Sequence, residues 1–497
     1  MINQTAVDTT DEVEELMDDE INEIKKKSVS GVVSYFFRTA FLQGIGLVAA
    51  FILSAFFSPS DFGIYGFVTQ IIGLLIFFSD IGLAASLVQQ KNDPDNKEYR
   101  VAFTLQWILS WLIVGIILFL LSLGFIQEKV GMAGVWVLLS LAISFPLATL
   151  KTISSIKLER KLFFQKLVLP QIFEQLVFYT LLIVLAWRGM GVMAYAYAII
   201  ARSLIGVVAM WFIEPWKGIG FLWNIKILKS ILGFGLKFQL NDFLARIKDQ
   251  LFYLGLAAFL PLEQFGYIQW AKNWSMYPYN LTVQNVMAIT FPTYSRLQHR
   301  KDLLKKAIEK SLFFISLAIF PILVGMSIFI WPLTQVIDKY AKWEPAIFSF
   351  IFFALSIGWA ALSTPLVNTL NAIGHINKTL KLMIMWTTLT WILTPIFIWQ
   401  FGFNGVALSS FIISFTSILS IKMVKEHIPV VILPQIKEAL FGASLMSLVG
   451  VWGLKYWARD LKTLFMGMAL VTVVYSLSVL LVGGKRIFRE LKGLMIK

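Results

Sequence analysis

Long apolar runs, each of about the length that crosses a bilayer, recur along the whole sequence between short polar loops. A transmembrane helix needs about 20 mostly apolar residues, because it rises about 1.5 Å per residue through a hydrocarbon core of roughly 30 Å. The sequence therefore predicts an all-α polytopic membrane protein. We predict fourteen spans, with approximate limits 32–57, 62–89, 101–126, 134–156, 168–187, 191–213, 229–258, 266–292, 309–331, 345–371, 379–400, 404–424, 432–456 and 462–482.

Composition agrees with a membrane protein and removes several classes of chemistry. Only 14% of the 497 residues are charged and 58% are hydrophobic, whereas soluble domains carry roughly 25% charged residues. The chain has no cysteine, so disulfides, thiol chemistry and cysteine-based metal sites are excluded. Its three histidines, His299, His375 and His427, lie in polar loops. With no catalytic or metal-binding motif either, we expect a transporter without cofactors rather than an enzyme.

Basic residues mark one side of the membrane. The even-numbered gaps between spans and the two tails hold most of the Lys and Arg, as in 157–166, 296–306 and 485–492. Cytoplasmic loops carry such an excess, which predicts that both termini are cytoplasmic. The same loops account for the net charge of +14, so a nucleic-acid partner is not needed to explain it. The acidic segment 1–31 is predicted to be a solvated cytoplasmic tail without a direct role in transport.

Two short patterns repeat and indicate an internal duplication. The turn FSPSDFGIYG at 57–66 and the turn FLPLEQFGYIQ at 259–269 both place Pro, an acidic residue and Phe-Gly before the next span. MGVMAYA at 190–196 is similarly matched by NGVALSS at 404–410. Two six-helix copies in the same orientation would be related by an axis along the membrane normal, with the substrate site between them.

This duplication predicts the domain layout. The repeated lobes are followed by two further helices, and the segments around them are tails and a linker. The boundaries are an acidic tail at 1–31, an N-lobe at 32–213, an interfacial linker on the inner leaflet at 214–228, a C-lobe at 229–425, and helices 13 and 14 with a basic cytoplasmic tail at 426–497.

The turn SPSDFGIYG, the segment SDIGLAASLVQ at 79–89 and the number of spans together resemble the polysaccharide transporter family (Wzx-type O-antigen and oligosaccharide flippases) of the MOP superfamily. The resemblance covers 32–482 and does not include the acidic tail. It implies a MATE-like core of two six-helix lobes plus two C-terminal helices in the bacterial inner membrane. The implied activity moves undecaprenyl-diphosphate-linked oligosaccharide to the outer leaflet for O-antigen or lipopolysaccharide synthesis, with a polysaccharide polymerase complex as an expected partner.

The span 229–258 carries more charge than a lipid-facing helix tolerates. One charge at mid-bilayer costs at least about 2.5–3.5 kcal/mol, so charged side chains here must turn away from lipid. Asp242, Arg246 and Asp249 share one helical face, and Lys237 and Lys248 form a neighbouring stripe. Ion pairing within the helix would neutralise part of this set. We favour a polar wall of a water-filled cavity, because both lysines lack an obvious intrahelical partner.

A cavity lined by cations suits a diphosphate, which Arg grips in bidentate fashion and Lys binds as a point charge. Arg38 has snorkelling to inner-leaflet phosphates as its alternative role, and Arg202 has a salt bridge with Glu174. Span 8 adds a polar stripe suited to sugar hydroxyls, formed by Gln269, Asn273, Tyr277, Asn280 and Gln284. The predicted substrate-binding residues are Arg38, Arg202, Lys237, Arg246, Lys248, Lys272, Asn273 and Asn280, and Asp80, Asp242 and Asp249 are candidates for coupling to Na⁺ or H⁺.

Two alternatives stay open at the level of sequence. A MATE-like cation-coupled exporter of small molecules would favour a net acidic cavity and twelve helices. A membrane polysaccharide polymerase or ligase would favour a large outer loop, whereas the longest predicted here is about 332–344.

Overall fold

The computed structural model describes residues 39, 41–79, 82–90, 92–218 and 220–495, with the side chains of 234–248 and 491–495 outside that description. The described chain is helical and contains no β-strand. The helices are α1 Phe41–Phe56, α2 Pro59–Leu75, α3 Leu83–Gln89, α4 Asn96–Ser122, α5 Phe125–Arg160, α6 Phe164–Trp187, α7 Met193–Ile213, α8 Ile225–Phe259, α9 Leu262–Tyr279, α10 Asn285–Arg296, α11 Lys301–Val336, α12 Ile347–Ala372, α13 Ile376–Phe401, α14 Gly405–Ser414, α15 Ile418–Lys425, α16 Leu433–Trp452, α17 Leu454–Trp457 and α18 Leu461–Met495.

The all-α membrane fold predicted from the sequence is confirmed. Every predicted span from 62 onward falls mainly on helix, and α2 is followed by a 3₁₀ turn at Ile76–Ser79. Within the described ranges, nine helical stretches are long and apolar enough to cross a membrane, one of which joins α13 to α15. The count of fourteen spans stays a prediction, as do the lobe boundaries at 32–213 and 229–425.

The chain forms two compact units. Among the described residues, the first unit comprises those up to 57 together with those in 67–258, and the second comprises 58–66 together with 259–495. In the first unit, α5 packs along α4 and α7, and α6 packs along α7. In the second unit, α12 packs against α9, α11 and α14, and α16 and α18 pack on α11.

The linker after α7 is anchored on the first turns of α4. Trp216 is buried, with its ring 5.4 Å from that of Phe103. The backbone N–H of Leu222 donates to the Thr104 hydroxyl at 2.9 Å, and Arg100 donates to the Phe221 carbonyl at 3.0 Å. The side chains of Phe221 and Trp223 remain exposed. The predicted interfacial segment is thus held on the protein by some of its aromatic and backbone groups and presents others outward.

Arg160, at the end of α5, fixes the turn that follows α3. Helices leave their last carbonyls without intrahelical partners, and the guanidinium supplies donors for them. It also forms an ion pair with Asp93 at 2.8 Å. The carbonyls that accept from Arg160 belong to Leu87, Val88, Gln90 and Asn92.

The two repeated turns cross each other in the second unit, and at the crossing a glycine of each turn contacts the backbone of the other. A Cβ built on Gly63 would lie 1.8 Å from the carbonyl oxygen of Leu262, and one built on Gly266 would lie 1.8 Å from that of Pro59. Only glycine fits at either position, which explains why both copies of the turn carry Phe-Gly. Asp61 holds the start of α2 by accepting from the backbone N–H of Ser58 at 2.9 Å.

The C-terminal helices are tied to α11 by charges. The Arg486 guanidinium lies 3.2 Å from the buried carboxylate of Glu438 on α16 and 4.5 Å from the Phe313 ring centroid. Lys310 pairs with Glu490 at 3.2 Å. A buried carboxylate is costly unless it is paired, so these contacts fix how α16 and α18 pack on α11.

Two of the three histidines stack where the α12–α13 turn meets the segment after α15. The ring centroids of His375 and His427 are 3.9 Å apart, and the Lys378 ammonium lies 2.8 Å from His427 Nε2 and bonds Glu426. An ammonium only donates, so Nε2 accepts and His427 is neutral in this arrangement. Burial, followed by the neighbouring His375 and Lys378, lowers the pKa of His427 below its usual 6.5.

Adding a methyl group at Gly63 or Gly266, where the two turns cross, should destabilise the protein. We expect Gly63→Ala and Gly266→Ala each to cost at least about 1–3 kcal/mol, because the new Cβ meets rigid backbone rather than a mobile side chain. Gly115→Ala is the matched control, since a Cβ on that helical glycine meets nothing within 4 Å. The midpoint of thermal unfolding in detergent measures the effect, and equal midpoints for all three variants would contradict the crossing.

The histidine stack predicts that stability falls as the solution is acidified. The unfolded chain takes up the proton of His427 near pH 6.5 and the folded chain only at lower pH, so folding free energy is lost as pH falls below 6.5. We expect a lower unfolding midpoint at pH 5.5 than at pH 7.5, with a smaller difference in His427→Gln. The neighbouring Glu426 carboxylate, whose pKa is lowered by Lys378, stays ionised over this range.

Candidate substrate-binding site

Three charged side chains from three helices meet in the first unit. Glu174 of α6 accepts a hydrogen bond from the Lys151 ammonium of α5, and its other oxygen lies 3.8 Å from Nε of Arg202 on α7. One carboxylate thus faces two cations, which leaves the cluster with one net positive charge. Arg202 lies near the middle of its helix, where charges are costly unless they are partnered.

The members of the cluster differ in exposure. The Glu174 side chain is 9% exposed and that of Lys151 24%, whereas that of Arg202 is 44% exposed. The Arg202 guanidinium lies 5.5 Å from the Phe178 ring centroid and makes no hydrogen bond within the described part of the chain. Its fork of N–H donors therefore remains available to an anion.

Glycine on α7 makes room for the carboxylate. A Cβ built on Gly206 would lie 2.1 Å from Oε1 of Glu174, so the glutamate side chain lies directly on the α7 backbone. Small residues allow membrane helices to approach closely. The sequence places Gly206 one turn after Arg202 on the same helical face, which brings the carboxylate and the guanidinium together.

Uncharged polar groups from α6 and α1 lie in the same unit, and Tyr179 of α6 is close to Arg202. The Tyr179 hydroxyl lies 3.2 Å from the Cβ position of Gly46 on α1, and Gln175 and Arg202 are its other polar neighbours. Gln43 lies on the Gly46 face of α1, and its buried Oε1 has no hydrogen-bond partner within the described residues. Amide and hydroxyl groups of this kind suit sugar hydroxyls.

The structure brings Arg202 together with its predicted alternative partner and adds a cation that the sequence analysis missed. The salt bridge between Arg202 and Glu174, considered above as an alternative to substrate binding, is present. Lys151 was overlooked, although it lies inside the predicted span 134–156, near its C-terminal end. A count of every Lys and Arg within that span would have found it.

Several predicted residues lie outside the description of the structure. Arg38 and Asp80 are outside the described residues. Lys237, Asp242, Arg246 and Lys248 lie on α8, but their side chains are not described. Their roles stay predictions, as does coupling at Asp249, whose side chain is exposed.

The predicted polar stripe of span 8 changes character along its length. Gln269 is buried, and a Cβ on Gly66 would lie 2.8 Å from its Nε2, whereas Asn273 one turn later is exposed. Lys272 and Asn280 are half-buried. A π-helical turn at Asn280–Gln284 follows Pro278 and shifts the helical register, so the stripe does not continue as one straight face. Substrate binding by Lys272, Asn273 and Asn280 stays a prediction.

Across the described residues, no group of three or more His, Cys, Asp or Glu side chains could hold a metal ion. The buried carboxylates of Glu174 and Glu438 are instead paired with Lys or Arg.

The fold, with its long apolar helices and internal charge clusters, defines a multi-pass membrane protein. Residues 52–348 match the family model described as "Polysaccharide biosynthesis protein", and this match spans more than half of the chain. The chain belongs to that family, and the resemblance to polysaccharide transporters inferred from its sequence is confirmed.

The chain is similar to known transport proteins in sequence and in fold. The chain is 19% identical over 292 residues to the succinoglycan biosynthesis transport protein ExoT of Rhizobium meliloti (strain 1021), covering 59% of this chain and 58% of that protein. Its fold is similar to that of the lipid II flippase MurJ in an inward closed conformation, with a TM-score of 0.67, 16% identity, and coverage of 92% of this chain and 100% of the other. An inward-facing MATE multidrug resistance transporter matches with a TM-score of 0.58 and 15% identity, over 78% and 96% of the two chains.

A methyl group at Gly206 should break the charge cluster. We expect Gly206→Ala to push the Glu174 carboxylate away from Arg202 and Lys151, at a cost of roughly 1–3 kcal/mol for overpacking. The measurement is the thermal unfolding midpoint, with Gly255→Ala as control because nothing lies within 4 Å of its Cβ position. A Gly206→Ala variant as stable as this control would show that the carboxylate does not depend on the glycine.

Proposed function

We propose that this protein is a flippase. It would move polyprenyl-diphosphate-linked oligosaccharide from the inner to the outer leaflet of the bacterial inner membrane by alternating access, for cell-surface polysaccharide synthesis. Membership of a polysaccharide biosynthesis family and a fold similar to a lipid II flippase support this class of activity. A lipid-linked oligosaccharide is the proposed substrate, and both termini are proposed to be cytoplasmic.

The observation that carries the proposal is the exposed guanidinium of Arg202 beside Lys151 and Glu174. An arginine exposed to lipid at mid-membrane would be strongly unfavourable, so its exposed face needs water or an anion. A diphosphate offers several oxygens to the free N–H donors, in the bidentate geometry that arginine favours. The net positive charge of the cluster complements the negative charge of this substrate.

The membrane potential favours the proposed direction. Moving one elementary charge through 100 mV is worth about 2.3 kcal/mol, and the cell interior is negative. A diphosphate that moves outward without compensating cations is therefore driven by the potential. No coupling ion is assigned, and flipping measured with and without Na⁺ and pH gradients tests whether Na⁺ or H⁺ contributes.

A cation-coupled exporter of small molecules is the second candidate, because the fold is also similar to that of a MATE transporter. The cluster at Arg202 favours the flippase, since one net positive charge repels cationic compounds. Proteoliposomes that accumulate a cationic dye under a Na⁺ or H⁺ gradient, but flip no lipid-linked sugar, would support the exporter instead.

Removal of the Arg202 guanidinium should abolish most flipping. In vesicles that contain a fluorescent undecaprenyl-diphosphate sugar, we expect Arg202→Ala to lower the flipping rate at least about tenfold, because a charge-assisted hydrogen bond is worth about 1.5–3 kcal/mol. Arg202→Lys should retain part of the rate, since it keeps the charge but loses the bidentate geometry.

The matched control is Arg188→Ala, the same substitution at an exposed position at the end of α6. It should flip at the wild-type rate. The thermal unfolding midpoint of Arg202→Ala should stay near that of wild type, because the 3.8 Å pair with Glu174 is loose. Wild-type flipping by Arg202→Ala would remove this cluster from the mechanism.

A further inference from the structure

We propose that Glu174 is a positioning residue that controls release of the substrate: its carboxylate holds Arg202 when the site is empty and competes with the substrate's phosphates for that guanidinium. This inference rests on the proposed function and names what the acidic member of the cluster does. A site built only to hold a diphosphate would have no use for a buried anion beside its cations.

The two ion pairs of Glu174 differ in distance and in exposure, and this difference distinguishes a fixed partner from an exchangeable one. Lys151 is hydrogen-bonded directly to one carboxylate oxygen and is mostly buried. Arg202 lies 3.8 Å from the other oxygen, beyond hydrogen-bond distance, and is the most exposed of the three. Lys151 is thus the fixed partner of the carboxylate, and Arg202 is the partner that can be exchanged.

Packing prevents the carboxylate from moving far when a phosphate arrives. The Glu174 side chain is buried and rests on the backbone of Gly206, and Lys151 of α5 holds Oε1, the carboxylate oxygen nearest to that glycine. A phosphate on the exposed N–H donors of Arg202 would therefore remain close to a second negative charge. Like charges at such distances repel, and burial strengthens the repulsion because the local dielectric constant is low.

This repulsion is useful for transport. A permeant ion must bind well enough to enter and weakly enough to leave. Two cations without a counter-charge would grip a diphosphate in both leaflets and slow its release. The carboxylate beside Arg202 competes locally with the phosphates for that guanidinium and takes it back as a partner once the substrate has left.

The test replaces the fixed pair by neutral residues of similar size. Lys151→Met with Glu174→Gln keeps the net charge of the cluster at one and leaves no buried charge unpaired, so folding is preserved better than in Glu174→Gln alone. The readout is equilibrium binding of undecaprenyl diphosphate by the purified protein in detergent. We expect this double variant to bind at least tenfold more tightly than wild type and to flip the lipid more slowly.

A second comparison tests whether the tighter binding acts through Arg202. Adding Arg202→Ala to the double variant should abolish the tighter binding, whereas adding Arg188→Ala should leave it unchanged. A purely structural role for Glu174 gives no reason for affinity to rise. Binding by the double variant that equals or falls below that of wild type overturns the proposal.

The experiment separates this inference from the proposed function. If wild-type vesicles flip no lipid-linked sugar, the flippase assignment fails. If they flip it and the double variant binds undecaprenyl diphosphate no more tightly than wild type, the assignment stands and the role of Glu174 is refuted.

Discussion

The pairing of one buried carboxylate with two cations is the constraint on which the first unit depends. Glu174 joins α5, α6 and α7 through Lys151 and Arg202, and the space for it exists because α7 carries Gly206. Loss of Lys151, the directly bonded partner, would leave the buried carboxylate poorly paired, which typically costs about 3–5 kcal/mol, a large fraction of the stability of a domain. The same cluster leaves one guanidinium exposed, so one arrangement packs three helices together and supplies the proposed anion site.

The second unit depends on a different contact, the close approach of two helix starts. Gly63 and Gly266 each face a carbonyl oxygen of the opposite turn, so the duplicated Phe-Gly motif is present at a point where the two copies meet. Without a hydrophobic driving force between helices in lipid, such close backbone contact is a main source of association. Helices α16 and α18 add charged contacts through Glu438 and Arg486.

The fold was largely predictable, because bilayer thickness fixes the length of apolar helices and the loops are short. The repeated turns at 57–66 and 259–269 are recognisable in the sequence alone. Their contact with each other is not, because sequence spacing does not specify which backbone segments touch. The pair of Arg202 with Glu174 was foreseen as an alternative. Lys151 was not, because a single lysine near the end of a span resembles a loop residue. The predicted roles of the α8 residues Lys237, Asp242, Arg246 and Lys248 remain hypotheses based on the sequence.

A structure of the protein bound to an undecaprenyl-diphosphate oligosaccharide tests the central claim most directly, because it locates the phosphates. The account predicts phosphate oxygens within about 3 Å of the Arg202 guanidinium, the range of charge-assisted hydrogen bonds, with Glu174 still bonded to Lys151. A diphosphate bound elsewhere, with Arg202 still facing only Glu174, would contradict it.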